Sequence, residues 1–159
     1  MIALHPLGPG DRARVERFAV APEQERFSGR PADAFDHPEP GVDLHAIAEA
    51  GRVVGFFKID RRYPDAHPFA RRDEIGPRGF LIDRREQGRG LASAAVRALG
   101  PYLAARHAGA PAVVLTVNRA NPAAIACYRR GGFADTGDLW HGDRAGPQHV
   151  LRMPLKAGG

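Results

Sequence analysis

The chain has 159 residues, of which 43% are hydrophobic and 26% are charged, so it is long enough for one domain with its own core. No apolar run approaches the roughly 18 residues of a membrane span, no signal peptide is recognisable, and the single cysteine excludes an internal disulfide and a multi-cysteine zinc site. The net charge of +5 raises nucleic acid as a partner, but all but two of the 23 basic residues are arginines scattered along the chain. We therefore expect one cytoplasmic domain over residues 1–159, without a membrane or nucleic-acid partner.

The N-terminal half is predicted to contain short helices and a hairpin. A short strand is expected at residues 2–4, followed by a helix with Asp11 at its N-cap. Residues 31–35 follow as a second short helix that begins with a proline, which the first turn tolerates. Residues 44–50 and 53–59 are β-forming segments separated by a glycine-containing turn, which predicts a hairpin.

The centre of the chain is predicted to alternate between loop, strand and helix. Residues 60–75 form a polar loop with two prolines, and loops of this length are often functional. A buried strand is expected at residues 80–82. An Ala- and Leu-rich helix over 91–107 follows, with a kink or a short break at its Gly-Pro pair. Another apolar strand is predicted at 113–117.

The C-terminal part is predicted to add one helix and two strands. Asn121 is the expected N-cap of a helix over 122–130, and a pair of glycines ends this helix. Strands follow at 133–140 and 149–155, joined by a glycine-containing turn. The order of elements predicts an α/β protein with a mixed open sheet, at least one parallel crossover, antiparallel edges and helices on both faces.

The turn Gln87–Ala92 joins a buried strand directly to a helix. Its glycines, Gly88 and Gly90, let the backbone approach a ligand closely. The unpaired N–H groups and the dipole of the helix N-terminus favour a phosphate or pyrophosphate. By itself the pattern is equally consistent with a tight turn. It is not a P-loop, because no Gly-Lys-Ser/Thr is present, nor a dinucleotide fingerprint, because position 93 is serine.

A second motif, Asn121–Phe133, follows the next strand at the expected distance. With both motifs present in this order, the chain resembles the GNAT superfamily of N-acetyltransferases. The first signature of that superfamily, Gln/Arg-x-x-Gly-x-Gly/Ala, and the second, Asn-x-x-Ala followed by Tyr and Gly-Phe, have these counterparts here: Gln87, Gly90 and Ala92; Asn121, Ala124, Tyr128, Gly132 and Phe133. The resemblance is close over residues 53–155 and looser before them.

The resemblance implies a mostly antiparallel sheet of six to seven strands with a V-shaped splay between two central parallel strands. It also implies acetyl-CoA as cosubstrate, no metal, and a pantetheine arm that pairs with Leu81 and Ile82 like an added strand. Asn121 would bond a pantetheine amide, unless it serves only as a helix cap. The residues implied for acetyl-CoA binding are Leu81, Ile82, Gln87, Gly88, Arg89, Gly90, Leu91, Ala92, Asn121 and Ala124.

The implied chemistry is direct attack of a primary amine on the thioester. Tyr128 would protonate the departing thiolate, although its alternative is a core aromatic residue with a satisfied hydroxyl. Cys127 is interpreted as a small buried apolar residue, because adjacent helical side chains point about 100° apart. Candidate bases, none favoured over the others, are Glu74, Asp60, Asp65 and His67.

The acceptor is a weaker inference than the cosubstrate. Segments 22–24, 137–140 and 150–155, together with Phe27, resemble bacterial polyamine and diamine acetyltransferases. The positive net charge argues against a polycation, unless the acceptor slot is locally acidic. Other amines stay open, namely an amino acid, an aminoglycoside or a peptide N-terminus, as do a homodimer and a catalytically silent CoA-binding regulatory module. The carboxylates that could make the slot acidic are Asp33, Asp36, Glu39 and Asp43.

Overall fold

The computed structural model describes residues 1–19, 30–142 and 146–155, and this part of the chain forms seven strands and four α-helices. The strands are β1 Ile2–Leu7, β2 Val42–Glu49, β3 Arg52–Asp60, β4 Gly76–Ile82, β5 Ala112–Asn118, β6 Ala134–Trp140 and β7 Gln148–Pro154. The helices are α1 Pro31–Asp36, α2 Tyr63–Ala66, α3 Leu91–Arg106 and α4 Pro122–Arg130, with 3-10 turns at Pro9–Arg14 and Arg84–Glu86. No helix within these residues is both long and apolar enough to cross a membrane.

The strands form two antiparallel sheets that meet along their parallel central strands. One sheet has the order β1-β2-β3-β4 and the other β5-β7-β6. A parallel bridge between Ile75 and Val113 joins β4 to β5 at the start of both strands, and among the described residues no further β-pairing connects them. The predicted mixed sheet with a splay between two central parallel strands is therefore confirmed, although the splay divides it into two sheets.

Helix α3 packs on one face of the sheets and buries their largest apolar cluster. Ala95, Leu99 and Leu103 recur at helical spacing and are fully buried. The predicted break at Gly100-Pro101 is wrong, because the helix is continuous through this pair. The opposite face of the four-stranded sheet carries a smaller cluster around Val15 and Phe56, against which α1 packs.

The hairpin and helix α4 are confirmed, whereas the first helix is corrected. Residues 9–14 form a 3-10 turn that begins after Gly8, and Asp11 lies inside it instead of capping it. The Asp11 carboxylate nevertheless accepts a hydrogen bond from the Gly8 N–H at 2.7 Å, so it stabilises the turn in another way. Segment 22–24 and Phe27, which carried part of the polyamine resemblance, lie outside the described residues.

Candidate active site

A cavity of about 480 Å³ opens between the free edge of β4, the N-terminus of α3 and helix α4. Tyr128 and ten of the eleven residues that the sequence predicted, Arg89 being the exception, line it: Leu81, Ile82, Gln87, Gly88, Gly90, Leu91, Ala92, Asn121, Ala124 and Tyr128. These residues come from two segments about 30 positions apart, which the splay of the sheets brings together.

The turn before α3 presents backbone N–H groups to one end of this cavity. Gly88 and Gly90 have φ angles of +86° and +75°, in the left-handed region that glycine adopts without strain. Gly90 is the N-cap residue of α3 and offers no side-chain cap. The amides of the first turn, including those of Leu91 and Ala92, therefore stay available for an anion.

Two charged or polar side chains of the turn are held by protein partners. The Gln87 side-chain amide donates to the Ile82 carbonyl at 3.0 Å, which ties the turn to the end of β4. The Arg89 guanidinium donates to Glu49 at 3.0 Å and also pairs with Glu86. Hydrogen bonds from Arg52 and then Arg89 lower the pKa of the Glu86 carboxyl to about 2. The Arg89 side chain is thus directed away from the cavity and into a surface ion-pair network.

Arg130 lines the cavity and was not singled out by the sequence motifs. It lies in the last turn of α4, and its guanidinium donates to the Ser93 hydroxyl at 3.4 Å. No described carboxylate pairs with it. Nothing in the sequence distinguished this arginine from Arg129 beside it, because the selection depends on which side of α4 faces the first turn of α3.

Tyr128 lies at the inner end of the cavity. Its ring makes edge contacts with Phe80, at 6.0 Å between ring centroids, and with Phe133, at 5.6 Å. Burial raises the pKa of the Tyr128 hydroxyl above its ordinary value, so the group stays protonated near neutral pH. Cys127 also lines the cavity and is only half-buried, with its Sγ accepting a hydrogen bond from Ser93 at 3.6 Å. The expectation of a fully buried Cys127 is therefore wrong.

A bulge interrupts β4 beside Tyr128. Phe56 is opposite Leu81 and Lys58 is opposite Arg78, so that Gly79 and Phe80 together face the one residue between the two β3 partners. Gly79 has a φ of +61°, as bulge glycines often do. A bulge frees backbone groups from the ladder at the point where the strands diverge. The sequence predicted only residues 80–82 as strand and missed this feature.

Tyr63 fills the narrow end of the splay. Its ring covers Gly76 so closely that a Cβ there would lie 2.2 Å from the ring. Its hydroxyl hydrogen-bonds Thr116 of β5, and burial raises its pKa above the ordinary value. The His67 ring stacks on it at 3.8 Å between centroids. Helix α2 therefore places an aromatic plug between the two sheets, on the side away from the acetyl-CoA turn.

The four candidate bases differ in how far protein partners already hold them. Glu74 is buried and accepts hydrogen bonds from Arg152 at 2.7 and 3.1 Å. Asp60 accepts from the Arg62 N–H at 2.8 Å. Asp65 is exposed beside Arg62, and His67 Nδ1 is 2.9 Å from the Tyr63 carbonyl. Glu74 thus has the arrangement of a structural ion pair.

The carboxylates that were expected to make the acceptor slot acidic are mostly paired. Asp36 accepts from Arg12 at 2.9 Å, and hydrogen bonds from that arginine lower its pKa. Glu39 accepts from Arg78 at 3.0 Å and Asp43 from Arg61 at 3.0 Å. Within the described residues, no cluster of three or more His, Cys, Asp or Glu side chains has the arrangement of a metal site.

Comparison with known proteins places this geometry in context. The family model described as Acetyltransferase (GNAT) family matches residues 14–133. No curated protein sequence matches the chain at a significant level. Three solved structures share its fold. Aminoglycoside acetyltransferase AAC(6')-Ib with paromomycin and acetyl-CoA is 18% identical, with a TM-score of 0.79 over 98% of this chain and 94% of that one. Spermidine N-acetyltransferase from Vibrio cholerae with CoA and spermine is 16% identical, with a TM-score of 0.71 and coverages of 98% and 96%. The ribosomal-protein-S18-alanine N-acetyltransferase from Escherichia coli is 20% identical, with a TM-score of 0.67 and coverages of 100% and 97%.

Proposed function

The chain belongs to the acetyltransferase (GNAT) family, whose members use acetyl-CoA, and from this premise we propose that it transfers an acetyl group to a primary amine of a small molecule by direct attack. The observation that carries the proposal is a single cavity with an open helix N-terminus at one end and a protonated tyrosine at the other. The first end suits a pyrophosphate and the second a thioester, so the two ends match the two ends of acetyl-CoA.

The amides of the α3 first turn would hold the pyrophosphate, and Arg130 would add a positive charge beside them. The free edge of β4 at Leu81 and Ile82 would pair with the amides of the pantetheine arm. The Asn121 side chain accepts from the Ala124 N–H at 3.3 Å and so caps α4. Its amide donors remain for the pantetheine, so the cap and binding roles of Asn121 are compatible.

The reaction would take place beside the bulge. The lone pair of the acceptor nitrogen forms the new C–N bond at the thioester carbonyl carbon, and the C–S bond breaks. Backbone N–H groups at Gly79 and Phe80 would stabilise the developing oxyanion. Tyr128 would donate its proton to the leaving thiolate. The acceptor nitrogen loses one proton overall, so the products are an N-acetyl amide and free CoA thiol.

The acceptor would enter from the side of α1 and α2, opposite the acetyl-CoA turn. Solved structures of similar fold hold paromomycin or spermine, which are polycationic amines. In this chain, however, Arg12, Arg78 and Arg61 already neutralise Asp36, Glu39 and Asp43. A small primary amine is therefore the acceptor class we propose, without a requirement for a second positive charge.

A two-step measurement tests the proposal. Acetyl-CoA should first raise the melting temperature of the protein, since a ligand that binds only the folded state stabilises it. A panel of diamines, amino acids and aminoglycosides should then include at least one that releases free CoA thiol from acetyl-CoA at a rate proportional to enzyme. The absence of any shift with acetyl-CoA would overturn the proposal. A shift without turnover on any amine would instead favour the silent CoA-binding module.

A further inference from the structure

A row of side chains crosses the four-stranded sheet on the face that α1 covers. The registers place Leu7 opposite Leu44 and Leu44 opposite Lys58. Lys58 is in turn opposite Arg78 on β4. Directly opposed residues of neighbouring strands share a face, and like charges in such pairs are destabilising. The row therefore begins with two leucines and ends with two adjacent cations, an arrangement that has a cost unless an anion offsets it.

Lys58 is the residue of this row that lacks an anionic partner. It lines a second cavity, of about 390 Å³, together with Phe35 and Leu44. Its ammonium makes no hydrogen bond or ion pair with any described residue. Burial, and then the charge of Arg78, lower the pKa of Lys58. The site thus holds a half-buried ammonium at the edge of an apolar cavity.

The carboxylates around this cavity are held by other cations. Arg78 receives Glu39 at 3.0 Å on one side and Asp60 at 3.4 Å on the other. Arg61 pairs with Asp43 at 3.0 Å. Each of these acids therefore has its own guanidinium, so an incoming anion would meet Lys58 without displacing an ion pair.

The position of Lys58 relates this cavity to the reaction site. Its neighbour Phe57 is the residue that faces the β4 bulge, and Arg78 directly precedes Gly79 of that bulge. Two residues of strand span roughly 7 Å. A carboxylate at Lys58 and an amine at the bulge are therefore within the reach of one small molecule.

We infer that Lys58 binds a carboxylate of the acceptor, so that the preferred substrate is a small amine bearing an anionic group at its far end. This inference rests on the proposed acetyl transfer and narrows its acceptor class. Phe35 and Leu44 supply an apolar surface for the aliphatic segment between the two groups. A polyamine would instead bring a second ammonium against Lys58 and Arg78, where like charges repel.

Three six-carbon amines separate these alternatives. 6-Aminohexanoate, hexylamine and hexane-1,6-diamine carry the same reactive amine and end in a carboxylate, a methyl group and an ammonium. The expected order of kcat/KM is 6-aminohexanoate, then hexylamine, then the diamine. The first step should be about tenfold to a hundredfold, in line with a hydrogen-bonded ion pair.

Substitutions at position 58 assign this preference to the lysine. Lys58→Met keeps the length of the side chain and should lower kcat/KM for 6-aminohexanoate about tenfold or more, chiefly through KM, while hexylamine is little affected. Lys58→Glu should place the diamine above 6-aminohexanoate. Arg72→Met is the matched control, since the Arg72 side chain is 95% exposed, and it should leave the order unchanged. A wild-type order that favours the diamine, or an equal loss for all three amines in Lys58→Met, would overturn the inference.

Binding of the three amines to the CoA-bound protein gives a readout that does not need turnover. Calorimetric titration should give the lowest Kd for 6-aminohexanoate, with the advantage lost in Lys58→Met. If no amine is acetylated but this binding pattern holds, the proposed transfer fails and the carboxylate site stands. If transfer to amines occurs but the three probes bind alike, the carboxylate site fails and the transferase stands.

Discussion

The two sides of the splay are built by different means. On the acetyl-CoA side, the groups that face the cavity are largely backbone amides and carbonyls of one turn and one strand edge, positioned by glycines and a helix N-terminus. On the acceptor side, the surface consists of side chains from β3, β4, α1 and α2 that interact through ion pairs and ring stacking.

This difference explains which properties a protein of this kind can change. Backbone geometry depends on a few glycines and tolerates many side chains around them, so one cosubstrate site can persist while sequences diverge. A surface of side chains changes with every substitution. The cosubstrate is therefore a property of the family, whereas the acceptor has to be read from the individual chain.

The largest expected effect tests the one side chain that acts at the reacting end of the acetyl-CoA side. Tyr128→Phe removes only the hydroxyl and should lower kcat about a hundredfold to a thousandfold, as the loss of a general acid does. The acetyl-CoA Kd should stay within about twofold, because the ring contacts with Phe80 and Phe133 remain. Stopped-flow thiol release and calorimetric titration measure the two quantities. An unchanged kcat would make Tyr128 a packing residue.

The same contrast determines what the sequence could predict. The turn at Gly88 and Gly90 and the helix cap at Asn121 are local, because propensity and capping rules apply within a few residues. Both were expected at the positions where the structure has them. The seven-stranded fold followed from the order of such elements and from the resemblance that their motifs carry.

Features that depend on pairing between distant segments were beyond the sequence pattern. The bulge at Gly79 exists only relative to the register of β3, and the aromatic plug formed by Tyr63 exists only because Gly76 lies beneath it. The neutralisation of Glu39 by Arg78 joins residues 39 positions apart. These are tertiary contacts, and no local rule ranks one arginine above another as the partner of a given carboxylate.

The next largest effect concerns a strap on the acceptor side. Glu74→Gln breaks the buried ion pair with Arg152 and should lower the free energy of unfolding by about 3 kcal/mol, because a partly buried guanidinium is left without its partner. The kcat of the folded enzyme should be retained. Urea unfolding and thiol release measure both, with the exposed Asp65→Asn as control. Unchanged stability with a kcat reduced a hundredfold would identify Glu74 as the general base instead.

A pH dependence of similar size tests the sheet beneath the acceptor side. His45 is fully buried, hydrogen-bonded to the Tyr102 hydroxyl at 2.7 Å, and burial lowers its pKa to about 4. Unfolded histidine titrates near 6.5, so below that pH the unfolded chain takes up a proton that the folded chain excludes. Stability from this residue is complete above pH 6.5 and should fall by about 3 kcal/mol by pH 4.

Urea unfolding at pH 7, 5.5 and 4 measures this loss. In His45→Asn, whose amide oxygen can still accept from Tyr102, the pH-dependent loss should be smaller than in the parent. In His37→Asn, which alters an exposed histidine, the loss should match the parent. Equal slopes in all three proteins would show that other groups cause the acid sensitivity.

The smallest effect separates the arginine that the motif suggested from the one that the geometry favours. Arg130→Gln removes a charge that lines the cavity and has no described carboxylate partner, and it should raise the acetyl-CoA Kd about threefold to tenfold. Arg89→Gln should have less effect, because Glu49 and Glu86 already neutralise that guanidinium. Since exposed charges are screened by salt, the Arg130→Gln difference should shrink as ionic strength rises from 0.05 to about 0.5 M. A larger loss in Arg89→Gln would mean that its ion pairs open when acetyl-CoA binds, and side chains would then share the cosubstrate site with the backbone.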